Sequence, residues 1–132
     1  MPDRGPGQLP DQSSVTSAVT EAMAAMHARY YGRRPTSARA FMGADYVLCV
    51  LENIYTTAER TLIRAGRGGQ VRAARVAFED ALAAEFCATV EEITGRRVRA
   101  FLGQTCDEPE IATQVFVLHP LGTEALVPGD RP

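Results

Sequence analysis

The chain has 132 residues, 45% hydrophobic and 23% charged, with a formal net charge of −2. A chain of this length forms one domain that buries about two-thirds of its unfolded surface without help from disulfides or metals, and its charge balance excludes a global pull toward nucleic acid or anionic lipid. No run reaches the roughly 18 apolar residues of a membrane span, the first dozen residues lack a signal-peptide layout, and Cys49, Cys87 and Cys106 contain no C-x-x-C pair, so a soluble cytoplasmic protein is expected.

Residues 1–12 hold three Pro and two Gly and read as a tail. Ser13 or Ser14 is the expected N-cap of a first helix whose apolar face runs Val15, Val19, Ala22, Met26, Tyr30, and Gly32 ends it. Pro35 holds Arg34 out of the helical region, and a hairpin follows, with strands from Ala38 to Met42 and Tyr46 to Glu52 around a turn at Gly43-Ala44-Asp45. The run Tyr46 to Leu51 is apolar without alternation, which predicts a strand buried on both faces. Thr56-Thr57-Ala58-Glu59 matches the S/T-x-x-E capping box and opens a short helix to about Ala65.

Gly66-Arg67-Gly68-Gly69 breaks that helix, and a long one is predicted from about Gln70 to Thr94. Its apolar side reads Val71, Ala74, Phe78, Leu82, Phe86, Val90, Ile93, widened by Val76, Ala83 and Cys87. Gly95 ends it, and a second hairpin pairs Val98 to Gln104 with Ala112 to Leu118 across a loop carrying Asp107-Glu108-Pro109-Glu110. Residues 120–132 read as a second tail, leaving a single domain over 13–119.

The chain also repeats itself. Gly32-Arg33-Arg34 precedes Ala38-Arg39-Ala40-Phe41-Met42-Gly43, and Gly95-Arg96-Arg97 precedes Val98-Arg99-Ala100-Phe101-Leu102-Gly103. The expected fold class is α+β: two αββ repeats in the order α-β-β-α-α-β-β, giving a four-stranded, mainly antiparallel sheet with the helices packed on one face.

Candidates for chemistry are few. His27 and His119 have no Cys, His or carboxylate at ligand spacing, Cys49 lies inside an apolar strand, and Cys106 sits among carboxylates that disfavour a thiolate, so no catalytic residue, metal or cofactor is expected. The acidic loop lacks the spacing of a calcium site and reads as a solvated turn. Gly66-Arg67-Gly68-Gly69 lacks the Lys-Ser/Thr of a P-loop. All fourteen basic residues are Arg. Five of them, Arg60, Arg64, Arg67, Arg72 and Arg75, crowd the joint between the two later helices and form the one candidate anion or nucleic-acid site; Arg33, Arg34, Arg96 and Arg97 could join it if the repeat brings them together. Base stacking would further need Phe41, Phe101 and Phe116 on an open sheet face.

The stretch Leu51-Glu52-Asn53-Ile54-Tyr55-Thr56-Thr57-Ala58-Glu59, the junction Glu92-Ile93-Thr94-Gly95-Arg96-Arg97, and the helix end Tyr31-Gly32-Arg33-Arg34-Pro35 resemble the bacterial MpsC-type family over roughly Val15 to His119. That family is named for a member associated with a cation-translocating, membrane-potential-generating system. The resemblance implies a non-catalytic accessory or interaction protein, with a membrane-associated complex as a partner; it brings no site residues. An anion- or nucleic-acid-binding module using the Arg-rich joint is the alternative, disfavoured by the net charge. Because helices on one side leave a second apolar sheet face, a twofold homodimer is expected, with Phe116, Leu118, Tyr46 and Leu48 at its interface, unless the short helix covers that face through Leu62 and Ile63.

Overall fold

The computed structural model describes residues 11–122. Its elements are α1 (Gln12–Tyr31), β1 (Ser37–Met42), β2 (Tyr46–Glu52), α2 (Thr57–Arg64), α3 (Gly68–Thr94), β3 (Val98–Cys106) and β4 (Ile111–Leu118). This is the expected α+β order. The two expected tails fall almost wholly outside the described residues.

Local chemistry sets the boundaries. Asp11, not Ser13 or Ser14, caps α1: its carboxylate accepts from the Ser14 amide at 2.9 Å. Gly32 and Gly95 close α1 and α3 in the left-handed region, at φ +82° and +71°. The α2–α3 joint is broken by Gly66 at φ +83°, so Gly68 is free to begin α3 two residues earlier than expected. The capping box forms in full, with Thr56 Oγ1 accepting from the Glu59 amide at 3.1 Å and the Glu59 carboxylate accepting from the Thr56 amide at 2.9 Å.

The sheet is antiparallel throughout, in the order β1-β2-β4-β3. The two hairpins meet at a β2–β4 seam, where Leu48 faces Val115 and Cys49 faces Gln114. α1 packs on β1 and β2, and α3 packs on β3. Beneath them Val47, Cys49, Leu51, Ala112, Phe116 and Leu118 join Val15, Val19, Met23, Phe86 and Val90 in one core.

Three expectations change here. The β2 run is buried on one face only: Val47, Cys49 and Leu51 point into the core, while Tyr46, Leu48 and Val50 point away from the helices. Phe116 and Leu118 are fully buried under the helices and so cannot belong to an intermolecular interface. On α3 the buried stripe is Val71, Arg75, Phe86, Val90 and Thr94, whereas Val76 and Phe78 are 55% and 45% exposed.

The repeat does not carry through to the side chains. β3 has a register irregularity between Val98 and Ala100, and one extra residue reverses the alternation after it. Phe41 therefore points to the open face, while its counterpart Phe101 stacks on Phe116 and Phe86 in the core at ring-centroid distances of 5.1 and 5.8 Å. Only one of the three phenylalanines considered for base stacking is thus on the open face.

These orientations predict unequal costs for truncating two sheet phenylalanines. Phe116→Ala should lower the urea unfolding free energy by about 3–5 kcal/mol, and Phe41→Ala by less than about 1 kcal/mol. Equal losses would contradict the assigned faces.

Candidate functional site

The Arg-rich joint is not a free cationic patch. Arg60 donates through Nε to Glu110 at 2.8 Å and also reaches Asn53. Arg72 pairs with Asp107. Arg75 is only 4% exposed and is turned inward. Arg64 and Arg67 alone lie exposed with no partner among the described residues. Arg75 is therefore withdrawn from any solvent-facing site, because its charge is consumed inside the protein. The acidic loop is the other half of this arrangement rather than a solvated turn: Asp107 also accepts from the buried Tyr55 hydroxyl at 2.5 Å, and Glu110 from the Tyr55 amide at 3.1 Å. Hydrogen bonds from Arg60 hold Glu110 below the usual carboxylate range. No group of three or more His, Cys, Asp or Glu that could hold a metal occurs among the described residues.

The remaining arginines do not gather either. Arg33 donates to the Tyr55 carbonyl at 2.8 Å, beyond the end of β2, and Arg34 pairs with Glu21. Arg96 is buried at the opposite end, donating to the Ala44 and His119 carbonyls at 2.6 Å and to Asp45 at 3.0 Å. A seven-residue strand of about 23 Å separates the two clusters.

Arg75 organises the polar interior. Its Nε and Nη2 form a bidentate pair with Glu59 at 2.7 and 2.6 Å, Nη2 also donates to the Ile54 carbonyl at 2.8 Å, and Nη1 lies 3.0 Å from His27 Nε2. The guanidinium stacks 3.8 Å from the Tyr31 ring centroid. Arginine only donates, so His27 Nε2 must accept and the proton sits on Nδ1, which donates to the Arg33 carbonyl at 3.2 Å. Burial, with the adjacent Arg75 charge, depresses the His27 pKa to about 4. Burial alone would raise Glu59, but the Arg75 and Thr56 hydrogen bonds prevail and hold it low. Burial pushes the Cys49 thiol up to about 12, which removes it as a nucleophile at neutral pH.

What the sheet leaves uncovered is apolar at one end, while Arg39, Gln104 and Glu52 stand at the other. On the face away from the helices, Phe41, Leu48, Val115 and Leu102 form one row across all four strands, and Tyr46, Val117 and Ala100 form the next. Phe41 and Tyr46 are each 48% exposed and Leu102 is 60% exposed. Tyr46 lies over Gly43, where any side chain would collide with its ring. α2 does not cover this face, since its contacts are with α3. Of the four expected interface residues, Tyr46 and Leu48 belong to the open face. Leu102 was missed because the repeat hides the parity change at the β3 irregularity, and Phe41, considered only for base stacking, lies beside it in the same row.

The His27 geometry carries a pH dependence. The folded chain protonates His27 near pH 4 and the unfolded chain near 6.5, so between these values the unfolded state holds more protons. The stabilisation is complete above pH 6.5, drains away as pH falls toward 4, and amounts to about 3 kcal/mol. His27→Gln, which can still accept from Arg75, should flatten the stability profile between pH 6.5 and 4.5 in urea titrations. An unchanged slope would assign the loss to another group.

A family model described as Na+-translocating membrane potential-generating system (MpsC) matches residues 11–120. No curated protein and no solved structure matches the chain. The match spans α1 through β4, and the segments that set it apart in sequence, Leu51 to Glu59 and Glu92 to Arg97, are those that build the capping box, the Arg75 partners and the buried Arg96; the chain belongs to the MpsC family.

Proposed function

We propose that the protein is a non-catalytic accessory component of a membrane cation-translocating, membrane-potential-generating system, and that it works as a twofold homodimer joined through its open sheet face. The observation that carries this reading is the apolar row Phe41–Leu48–Val115–Leu102 with Tyr46 and Val117 beside it, on a sheet whose other face is fully used by the core. The family name supplies the link to a membrane system. No helix among the described residues is long and apolar enough to cross a membrane, so on this reading the link to the membrane runs through protein contact.

A second copy fits the dimensions of the face. Four strands about 4.8 Å apart and four rows about 6.8 Å apart, two of them apolar and two carrying Arg39, Gln104, Ser37 and Glu52, cover about 500 Å², and two copies together reach about 1,000 Å², the threshold for a specific interface. A twofold axis along the β2–β4 seam sets Phe41 of each copy over Leu102 of the other, and Leu48 over Val115. Arg39, at the polar end of the face, then meets Gln104 rather than another Arg39.

Light scattering at micromolar concentration should give twice the 14.3 kDa chain mass, and Leu102→Glu with Phe41→Glu should return it to 14.3 kDa with the circular dichroism spectrum kept. A wild-type mass of 14.3 kDa would sink the dimer. The accessory role is tested separately: cells lacking the protein should show a reduced Na+-dependent membrane potential with a potential-sensitive dye, and an unchanged potential would defeat it.

A further inference from the structure

Of the two edges of the described sheet, only one is blunted. β3, at one end of the order β1-β2-β4-β3, carries the register irregularity between Val98 and Ala100. An extra residue there twists the strand and spoils the spacing that an added strand needs. β1, at the other end, runs from Ser37 to Met42 in unbroken register and contains no Pro.

The ladder fixes which backbone groups of β1 are free. The Gly43 amide donates to the Tyr46 carbonyl at 2.9 Å, so the hydrogen-bonded pairs with β2 fall at Phe41 and Arg39, and the N–H and C=O groups of Ala38, Ala40 and Met42 point away from the sheet. At the β2–β4 seam, the Leu118 amide on the Asp45 carbonyl requires the same alternation. None of the three residues makes another backbone hydrogen bond among the described residues. Beside them lies an open groove of about 440 Å³, between Ala38 and Ala40 of β1 and Thr16, Ser17 and Thr20 of α1.

We propose that this edge takes one extended segment of a partner protein, paired to β1 as a further strand. The neighbouring side chains define its chemistry. Ala38 and Ala40 pack toward the core under α1, while Arg39 and Phe41 stand on the open face, and an added strand alternates in the same way. Its side chains toward α1 meet Thr16 and Thr20, whose hydroxyls already donate to the Ser13 and Thr16 carbonyls, so small or hydroxyl-bearing residues fit there. Its other side chains lie beside Arg39 and Phe41, which fits an acidic residue flanked by apolar ones. Arg39 is 62% exposed and only loosely paired with Glu52 at 3.7 Å, so its charge is open to a second carboxylate. It projects from the open face rather than along the edge, and so leaves the backbone groups unshielded.

A second copy of the chain fits this edge less well. α1 packs on β1, helices need about 8–10 Å between axes and paired strands lie about 4.8 Å apart, so joining two β1 strands would crowd two α1 helices together. A segment that brings no helix avoids the collision. The edge is separate from the open sheet face and does not depend on the dimer; with that face taken by a second copy, the edge stays available to another protein.

Amide NMR of the full chain with an acetylated heptapeptide, Thr-Val-Thr-Glu-Thr-Val-Thr, tests this; its threonines would face α1 and its glutamate would meet Arg39. The peptide should slow hydrogen exchange at the Ala38, Ala40 and Met42 amides and leave β3 unchanged. Ala40→Pro, which removes an outward N–H and no bond to β2, should abolish binding. The same peptide N-methylated on the amides facing β1 should fail to bind the unaltered protein, a comparison that needs no variant to fold. Arg39→Glu should transfer the preference to a peptide with lysine in place of glutamate, and an unchanged preference overturns the assigned chemistry. No slowing at the three amides, or binding that survives N-methylation, overturns the site. Slow exchange there without peptide would mean that the chain itself or a second copy already covers the edge, and would overturn it as well.

Discussion

The bidentate pair between Arg75 and Glu59 is the interaction on which most of the polar architecture depends. A guanidinium this deep must be paired and fully hydrogen-bonded, because a lone buried charge is strongly destabilising. Its partners come from the β2–α2 loop, the first turn of α2 and the end of α1, so one side chain of α3 registers three other segments at once. Glu59 does two jobs with one carboxylate, closing the start of α2 and neutralising Arg75. That explains why α2, which buries no residue of its own, is nonetheless held in place. Arg96 gathers the β1–β2 turn and the end of β4 at the other end of β2, with its Nε left without a hydrogen-bond partner among the described residues.

These two anchors hold a one-sided sheet. Two helices cover the core face and leave the other uncovered, with an apolar end around Phe41, Tyr46 and Leu102. The asymmetry between the two hairpins arises at one place, the irregularity after Val98, which turns Phe101 inward to fill the core beside Phe86. β1, without that extra residue, turns Phe41 outward. One inserted residue thus supplies the core with an aromatic ring from one hairpin and the open face with one from the other.

Helix and strand order was legible because the punctuation is strong: Gly32, Gly66 and Gly95 all adopt positive φ, and the Thr56 to Glu59 capping box forms as its letters predict. The stripe of α3 was read correctly at Val71, Phe86 and Val90 but one residue early at Ala74 and Phe78, because a hydrophobicity pattern passes over Arg75 and Glu79, both of which face inward. Phe116 and Leu118 were assigned to the wrong side because an unbroken apolar run in β2 carries no parity, so nothing in the letters says which face the helices take. The pairing of the acidic loop with Arg60 and Arg72 lies fifty and thirty-five positions along the chain, and only the closed sheet brings these groups together.

The β2–β4 seam has a consequence for how the chain assembles. Each hairpin pairs strands that are neighbours in sequence, whereas the seam joins Cys49 to Gln114 across both later helices. Closing that long loop costs entropy before any of its contacts form, while the hairpins and the capped α2 can form locally. The seam is therefore the step that commits the chain. Until it closes, β2 and β4 each present an unpaired edge flanked by apolar side chains, which the complementary half of another chain can occupy when chains are concentrated.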